Sequence, residues 1–239
     1  MDRFVRARQE GHVEPDSAGS GGGGGGQRHG LEFYFGGGAA AGALSALRAP
    51  ATATPVPAPV PAPVPSGSGG IPRLRIFCDG ACSGNGQRGA RAAYGLCVWL
   101  PDGKELYVEA APLLPSEPQT NQRAELQGLV AALRVAKLVA LGGALPHAGV
   151  DVYSDSEYAL KCASTWGRAW RARGWTRPDK KPLHHLDLVQ PLVEAVEAAE
   201  RDALISLRMH HVRGHQAAGV SALADGNNRA DVLATGALR

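Results

Sequence analysis

The sequence predicts an α/β domain of five strands interleaved with helices, and three features predict it. Leu74, Ile76 and Cys78 alternate with Arg75 and Phe77, a period of two that reads as a strand near the middle of a sheet. Two further apolar runs follow as a meander around Pro101-Asp102-Gly103. After residue 120 the apolar period becomes helical, interrupted by two more strand-like runs. The chain has 239 residues, room for one domain of ordinary size and an extra segment.

The extra segment is residues 1–70. Gly21 to Gly26 is an unbroken glycine run, Ala51 to Pro65 alternates proline with valine or alanine, and Ser66 to Gly70 is a Ser/Gly stretch. Alternating proline favours an extended spacer and Gly/Ser a flexible one. Such composition cannot bury enough apolar surface to offset the entropy of ordering, so disorder is expected. Leu31-Glu32-Phe33-Tyr34-Phe35 stands apart as a short apolar patch, either a docking motif or a chance cluster.

The domain begins with the strand Leu74 to Asp79. Tyr94 to Leu100 is the second strand and Glu105 to Ala111 the third. A helix opens at Thr120-Asn121-Gln122-Arg123-Ala124-Glu125, with Leu126, Leu129, Val130 and Leu133 at helical spacing and Gly142-Gly143 as its end. Thr120 or Asn121 can cap it, which puts Glu125 in the first turn. Val150 to Ser154 is a fourth strand, followed by helical sequence. Leu188 to Arg201 is an amphipathic helix whose Leu188, Leu192, Val193 and Val196 share a face, with Pro191 in its first turn. Leu204 to His211 alternates again as a fifth strand, and Asn227 to Leu238 closes the chain as a helix.

Bulk properties exclude more than they assign. Net charge is +3, so whole-chain charge decides little. Cys78, Cys82, Cys97 and Cys162 have no histidines at zinc-ligand spacing, which suits free thiols in a reducing compartment. No run approaches a membrane span and nothing resembles a secretory signal. Asp2, Glu10, Glu14 and Asp16 argue against a mitochondrial presequence despite three early arginines. An intracellular setting follows, with nucleus, cytoplasm and mitochondrion left open, and no membrane association.

Chemistry is indicated by acids at strand ends. Two strands end on Asp79 and Asp155, and a helix opens with Glu125. Carboxylates gathered at one sheet edge repel and resist ionising together. Divalent cations relieve that repulsion, and hard oxygen ligands with open positions suit Mg²⁺. The reaction such a site supports is two-metal phosphodiester hydrolysis, with ions about 3.5–4 Å apart.

Five ordered motifs together resemble type 1 ribonuclease H, in its eukaryotic-like form, over about residues 72–239. They are Asp79-Gly80-Ala81-Cys82-Ser83-Gly84-Asn85-Gly86, Thr120-Asn121-Gln122-Arg123-Ala124-Glu125, Tyr153-Ser154-Asp155-Ser156, Val212-Arg213-Gly214-His215 and Gly226-Asn227-Asn228-Arg229-Ala230-Asp231. The resemblance implies a ribonuclease H-like fold, a five-stranded mixed sheet with an antiparallel three-strand start, flanked by helices. It implies endonucleolytic hydrolysis of the RNA strand of RNA–DNA hybrids, leaving 5′-phosphate and 3′-hydroxyl ends, by a monomer with two Mg²⁺ ions for which Mn²⁺ substitutes. It makes Asp79, Glu125, Asp155 and Asp231 the metal ligands. His215, on a mobile glycine-flanked loop, becomes the group that assists proton transfer or product release, a role that suits a side chain titrating near neutrality. Asp225 rivals Asp231 as fourth ligand, and the fit of the motif to the last helix favours Asp231.

For hybrid binding the resemblance points to Cys82, Asn85, Thr120, Asn121, Gln122, Trp166, Lys180, Lys181, His185 and Asn227. Discrimination would come from 2′-hydroxyl contacts, since that group distinguishes RNA from DNA. Asn121 could serve as a helix cap, a minor-groove contact or both. Lys161 to His185 concentrates Lys161, Arg168, Arg171, Arg173, Arg177, Lys180 and Lys181 against Asp179 alone, with Trp166, Trp170 and Trp175 interleaved. This resembles the family's basic protrusion, whose cations neutralise phosphates of the DNA strand. Trp166 reads as a deoxyribose contact, Trp170 and Trp175 as the core of a small helical hairpin. His185 stands where an asparagine is usual. The segment between His215 and Asp231 reads as a longer loop than usual, which would leave His215 less well placed. A catalytically dead hybrid-binding module and a DNA resolvase or integrase are the competing readings. The four acids argue against the first, the 2′-hydroxyl-reading residues and basic insert against the second. Protein partners are unknown from sequence. No N-terminal hybrid-binding module is visible in residues 1–70.

Overall fold

The computed structural model describes residues 72–141, 149–177, 179, 181–201 and 206–239. Five strands form one sheet: β1 (Arg73–Ser83), β2 (Arg91–Trp99), β3 (Glu105–Pro112), β4 (Gly149–Ser154) and β5 (Ser206–His211). The helices are α1 (Asn121–Leu141), α2 (Glu157–Ala163), α3 (Thr165–Ala172), α4 (Leu186–Arg201) and α5 (Ala222–Gly236). Strand order is β3-β2-β1-β4-β5. β1 pairs antiparallel with β2, which pairs antiparallel with β3, while β1–β4 and β4–β5 are parallel. The mixed five-stranded sheet with flanking helices is the expected one.

β1 is the middle strand, with one side apolar and the other covered around Phe77. Leu74, Ile76 and Cys78 point into the larger core beneath α1 and α4, with Leu126, Leu129, Leu188 and Leu192. Phe77 points the other way and packs with Cys97, Trp99 and Ala230 beneath α5. From Ile76 to Asp79 the strand is buried on both faces, so its chemistry is confined to the end that carries Asp79. β1 runs longer than its apolar alternation suggested, because Gly80 to Ser83 continue the ladder opposite Arg91 to Tyr94.

Three boundaries differ from expectation for physical reasons. α5 begins at Ala222 rather than Asn227, since Ser221 is extended and its Oγ accepts from Ala224 N at 3.1 Å, a good N-cap. The segment after His215 is therefore a short connection, not a long loop. α1 begins at Asn121, with Thr120 Oγ1 accepting from Arg123 N at 3.2 Å, so Glu125 is its fifth residue and lies past the first turn. α4 begins at Leu186, which moves Pro191 from the first turn into the helix interior. Residues 1–70, the Gly142-Gly143 helix end, Lys180, and Leu204 and Ile205 of the expected fifth strand lie outside the described residues. Among the described residues no helix is long and apolar enough to cross a membrane, and all four cysteines are free.

Candidate active site

The four acids arrive from four elements. Asp79 is carried by β1, Glu125 by α1, Asp155 by the residue after β4, and Asp231 by α5. Asp79 is almost fully buried, and its Oδ1 accepts from the Gly80 N–H at 2.7 Å. Burial first, then the nearby Asp155 carboxylate, push its carboxyl up to about 8; Asp231 and Glu125 add to this and the Gly80 N–H opposes it. Asp79 thus registers the charge of all three other acids. Glu125 is also raised, by burial and by Asp155, against the Ser156 hydroxyl that holds it down. The first helical turn of α5 uses Asp225 differently: its Oδ1 accepts from Gly219 N at 2.7 Å and ties the preceding turn to the helix. Asp231, not Asp225, faces the acids.

Close backbone approach makes the cluster possible. A methyl group on Gly80 would overlap the Glu125 amide nitrogen and the Ala124 carbonyl carbon, and one on Gly128 would lie 2.9 Å from the Asp79 carbonyl oxygen. α1 therefore lies directly on β1, and Glu125 is held beside Asp79 by the absence of two side chains. On the other side, a methyl on Gly214 would overlap the Asp155 carboxylate. The His215 segment is pressed against that acid.

Each acid has fixed company. Glu125 Oε1 accepts from Asn121 Nδ2 at 2.7 Å and Oε2 from Ser156 Oγ at 2.6 Å. Asp155 Oδ2 accepts from Asn227 Nδ2 at 3.2 Å. Thr235 Oγ1 donates to Asp231 Oδ1 at 3.3 Å. Among the described residues no three His, Cys, Asp or Glu side chains close on one point as a ready cage for an ion. The buried, mutually repelling oxygens fit a cation.

His215 is exposed and takes a left-handed backbone conformation at φ 52°, uncommon for a residue with a side chain. Its segment is anchored rather than loose: Gln216 Nε2 donates to Arg213 O at 2.9 Å, and Asn228 Nδ2 donates to Gln216 O at 2.9 Å. His211, at the end of β5, lies with Nε2 3.1 Å from the Asp155 carbonyl oxygen.

The residues expected to meet a hybrid separate into groups. Cys82, Asn85, Thr120, Asn121 and Gln122 share the end of β1 and the opening of α1. Cys82 Sγ lies 3.5 Å from Gln119 O, and Asn85 Oδ1 accepts from Asn121 N at 3.2 Å, so the β1–β2 turn is tied to α1. Trp166, Lys181 and His185 belong to the basic arm. Trp166 is 42% exposed, its ring 6.0 Å from Trp170 and 6.3 Å from Tyr158, with Lys161 Nζ 5.6 Å over it. Trp170 and Trp175 are partly buried against the main core rather than forming a separate hairpin core. His185 is half-buried, and burial with the Arg123 charge holds its ring below the usual histidine range, so it donates through one nitrogen near neutrality. Asn227 departs from expectation. It is 2% exposed, beneath Asp155, and supports that acid from below where a duplex cannot reach it.

The structure adds what the sequence did not reveal. Arg123 is buried and forked onto Asp187 at 2.5 and 3.1 Å, with Glu117 at 3.0 Å, which locks the opening of α1 to α4. Ser156 holds Glu125 while capping α2. Arg168 and Arg171 of the arm are ion-paired with Glu200 and Glu197 of α4, and Arg177 and Lys181 share Asp179. The arm is thus less of a free cation cluster than its composition suggested. A serine before the helical sequence is a cap residue that could have been read from Ser156; nothing in the sequence signals its reach to Glu125.

Comparison with known proteins places this geometry. Residues 72–239 match the family model described as RNase H. A Ribonuclease H of Cupriavidus metallidurans is 36% identical over 164 residues, covering 69% of this chain and 94% of that protein. A Ribonuclease H of Paramagnetospirillum magneticum is 37% identical over 161 residues, covering 67% of this chain and 86% of its own. The solution structure of the PFV RNase H domain superposes with a TM-score of 0.54 at 25% identity, over 71% of this chain and 96% of that one.

Proposed function

The chain belongs to the RNase H family of enzymes, and on that premise we propose that it is an endonuclease that hydrolyses the RNA strand of RNA–DNA hybrids and leaves 5′-phosphate and 3′-hydroxyl ends. The activity resides in residues 71–239, with residues 1–70 as an appended tail. The observation that carries the reading is the electrostatics of Asp79. A carboxyl pushed up to about 8 first by burial and then by Asp155, with smaller contributions from Asp231 and Glu125, is a site that favours added positive charge.

Asp79, Glu125, Asp155 and Asp231 would hold two Mg²⁺ ions, with Mn²⁺ as a substitute. When bound, such ions activate water and stabilise the leaving oxygen of an in-line displacement. The remaining work belongs to the chain. Cys82, Asn85, Asn121 and Gln122 face the minor groove and select for the 2′-hydroxyl. Thr120 and His185 flank the α1 opening, where a phosphate of the DNA strand would lie. Trp166 offers an exposed ring to a deoxyribose, and Lys180 and Lys181 add positive charge along that strand. Asn227 orients Asp155 from below. His215, exposed and next to the Gly214 that packs against Asp155, carries protons to or from the departing product.

The test is cleavage of an end-labelled RNA–DNA hybrid in Mg²⁺ by the full chain and by Asp79→Asn, beside double-stranded RNA and duplex DNA. Cleavage of hybrid alone, lost in the variant, is the expected result. Tight hybrid binding without cleavage by wild type would replace this reading with a binding module.

A further inference from the structure

One line of hydrogen bonds joins the groups that face the hybrid to the acids. Asn85, in the turn after β1, accepts from the Asn121 backbone N–H at 3.2 Å. The Asn121 side chain donates through Nδ2 to Glu125 Oε1 at 2.7 Å. Glu125 Oε2 accepts from Ser156 Oγ at 2.6 Å, and Ser156 follows Asp155 directly. Both oxygens of Glu125 are therefore engaged, one from the groove side and one from the acid side.

The two engagements differ in how easily they can be exchanged. Ser156 is buried, and its Oγ also accepts from Ala159 N at 3.1 Å, so the helix it caps fixes it. Asn121 stands at the open end of α1, four residues before Glu125 on the same helix face. Its amide can turn to an acceptor in a minor groove, and side-chain rotation of this kind is fast. The hydrogens of the Asn121 amide present positive charge to Glu125 Oε1. A cation approaching that oxygen meets them, so amide and cation compete for it.

We propose that Asn121 is a latch on Glu125, a positioning residue that occupies Oε1 in the free chain and surrenders it when a hybrid draws the amide into the groove. The inference rests on the hybrid-hydrolase reading and adds to it a coupling between substrate and metal. Linkage makes the coupling reciprocal: whatever lifts Asn121 from Glu125 strengthens ion binding, and a bound ion strengthens hybrid binding by the same factor.

The experiment measures ion binding without turnover. Mn²⁺ is titrated into the full chain, free of nucleic acid, for wild type, Asn121→Ala, Asn121→Ser and Gln122→Ala, with free ion counted by electron paramagnetic resonance. Hybrid affinity is measured separately in EDTA. Both Asn121 variants should bind Mn²⁺ about ten-fold more tightly, equivalent to about 1.4 kcal/mol, and bind hybrid more weakly. Gln122→Ala should weaken hybrid binding and leave ion binding unchanged. Serine is well tolerated at a helix opening, so Asn121→Ser keeps the test alive should alanine fray α1. Ion binding no tighter in folded Asn121 variants overturns the latch, as does equal tightening in Gln122→Ala. Failure of wild type to cleave hybrid would instead strike the reading beneath it. Cleavage with an inert Asn121 strikes the latch alone.

Discussion

Gly80→Ala tests whether close helix–strand approach builds the site. Gly80 does not have positive φ, so alanine brings no backbone strain there and any effect is steric. The added methyl would lie 2.8 Å from Ala124 Cβ and closer still to the Glu125 amide. Ordinary carbon contacts lie at about 3.5–4.0 Å, so α1 must back away by roughly an ångström. The obstacle is backbone, which cannot turn aside as a long side chain would. Overpacking of this kind costs typically about 1–3 kcal/mol, and this geometry belongs at the upper end. For a domain of this size, about 3 kcal/mol lowers Tm by roughly 6–12 °C. The retreat also carries Glu125 away from Asp79, so hybrid cleavage should fall well beyond the loss of folded protein. Gly236→Ala is the control: nothing lies within 4 Å of its added methyl, and alanine in a helix should stabilise by about 0.5 kcal/mol or more. Urea denaturation gives both stabilities, and cleavage is measured at a temperature where each variant is fully folded. A Gly80→Ala chain as stable as wild type would refute the packing argument. A destabilised one with wild-type turnover would refute the claim that Gly80 places Glu125.

Three further outcomes are expected. In EDTA, Asp79→Asn should be more stable than wild type: an acid raised from 3.8 to about 8 by folding costs stability from about pH 4 upward, the gap widening until about pH 8 and constant above, as urea midpoints from pH 4 to 9 would show. Ser221→Ala removes the α5 cap and should cost about 1 kcal/mol, with faster amide exchange from Ala222 to Asp225; exchange unchanged there would contradict the cap. On the basic arm, Lys181 is 73% exposed and only 3.7 Å from an Asp179 that Arg177 holds more closely, so Lys181→Ala should lower the slope of log affinity against log salt for hybrid by about 0.9, the value of one phosphate contact. Arg168→Ala should leave that slope nearly unchanged, because its guanidinium is engaged by Glu200. Equal slopes for both variants would show that the ion pair does not hold in solution.

Much of the fold was legible because β1 announces itself. The alternation of Leu74, Ile76 and Cys78 against Phe77 was readable as a period of two, and both sets are buried, on opposite faces. Asp79 and Asp155 were picked out because they end apolar runs, and the fit of the last motif to its helix favoured Asp231 over Asp225. Helix starts were read less well. Ser221 was passed over as a cap because four residues, Ala222 to Asp225, separate it from the motif that begins at Gly226, and a longer loop was expected in its place. Asn227 looked like a groove residue, since an asparagine beside an acid in a motif says nothing of which side it approaches from. Its burial beneath Asp155 depends on where α5 crosses β1 and β2, which is a tertiary fact. The pairing of Arg168 and Arg171 with Glu200 and Glu197 lay outside local reach for the same reason: the arm and α4 are adjacent only once folded.

The acids could not have assembled this site by themselves. Four carboxylates drawn together oppose folding, as the raised Asp79 shows, so the elements carrying them must be fixed by packing that needs no metal. β1 is held by apolar side chains on both faces. α1 is seated on Gly80 and Gly128, and its opening is locked to α4 by Arg123 and Asp187. α5 is seated where a methyl on Gly226 would overlap the Phe77 ring. Ser156, being buried and bound to the α2 backbone, cannot follow a ligand. What this rigid frame leaves adjustable is small: the half-buried amide of Asn121, the exposed ring of His215 and the outer face of Trp166. Those are the groups that must answer to a nucleic acid, and a frame that repels its own charges gains most from the ligand that neutralises them.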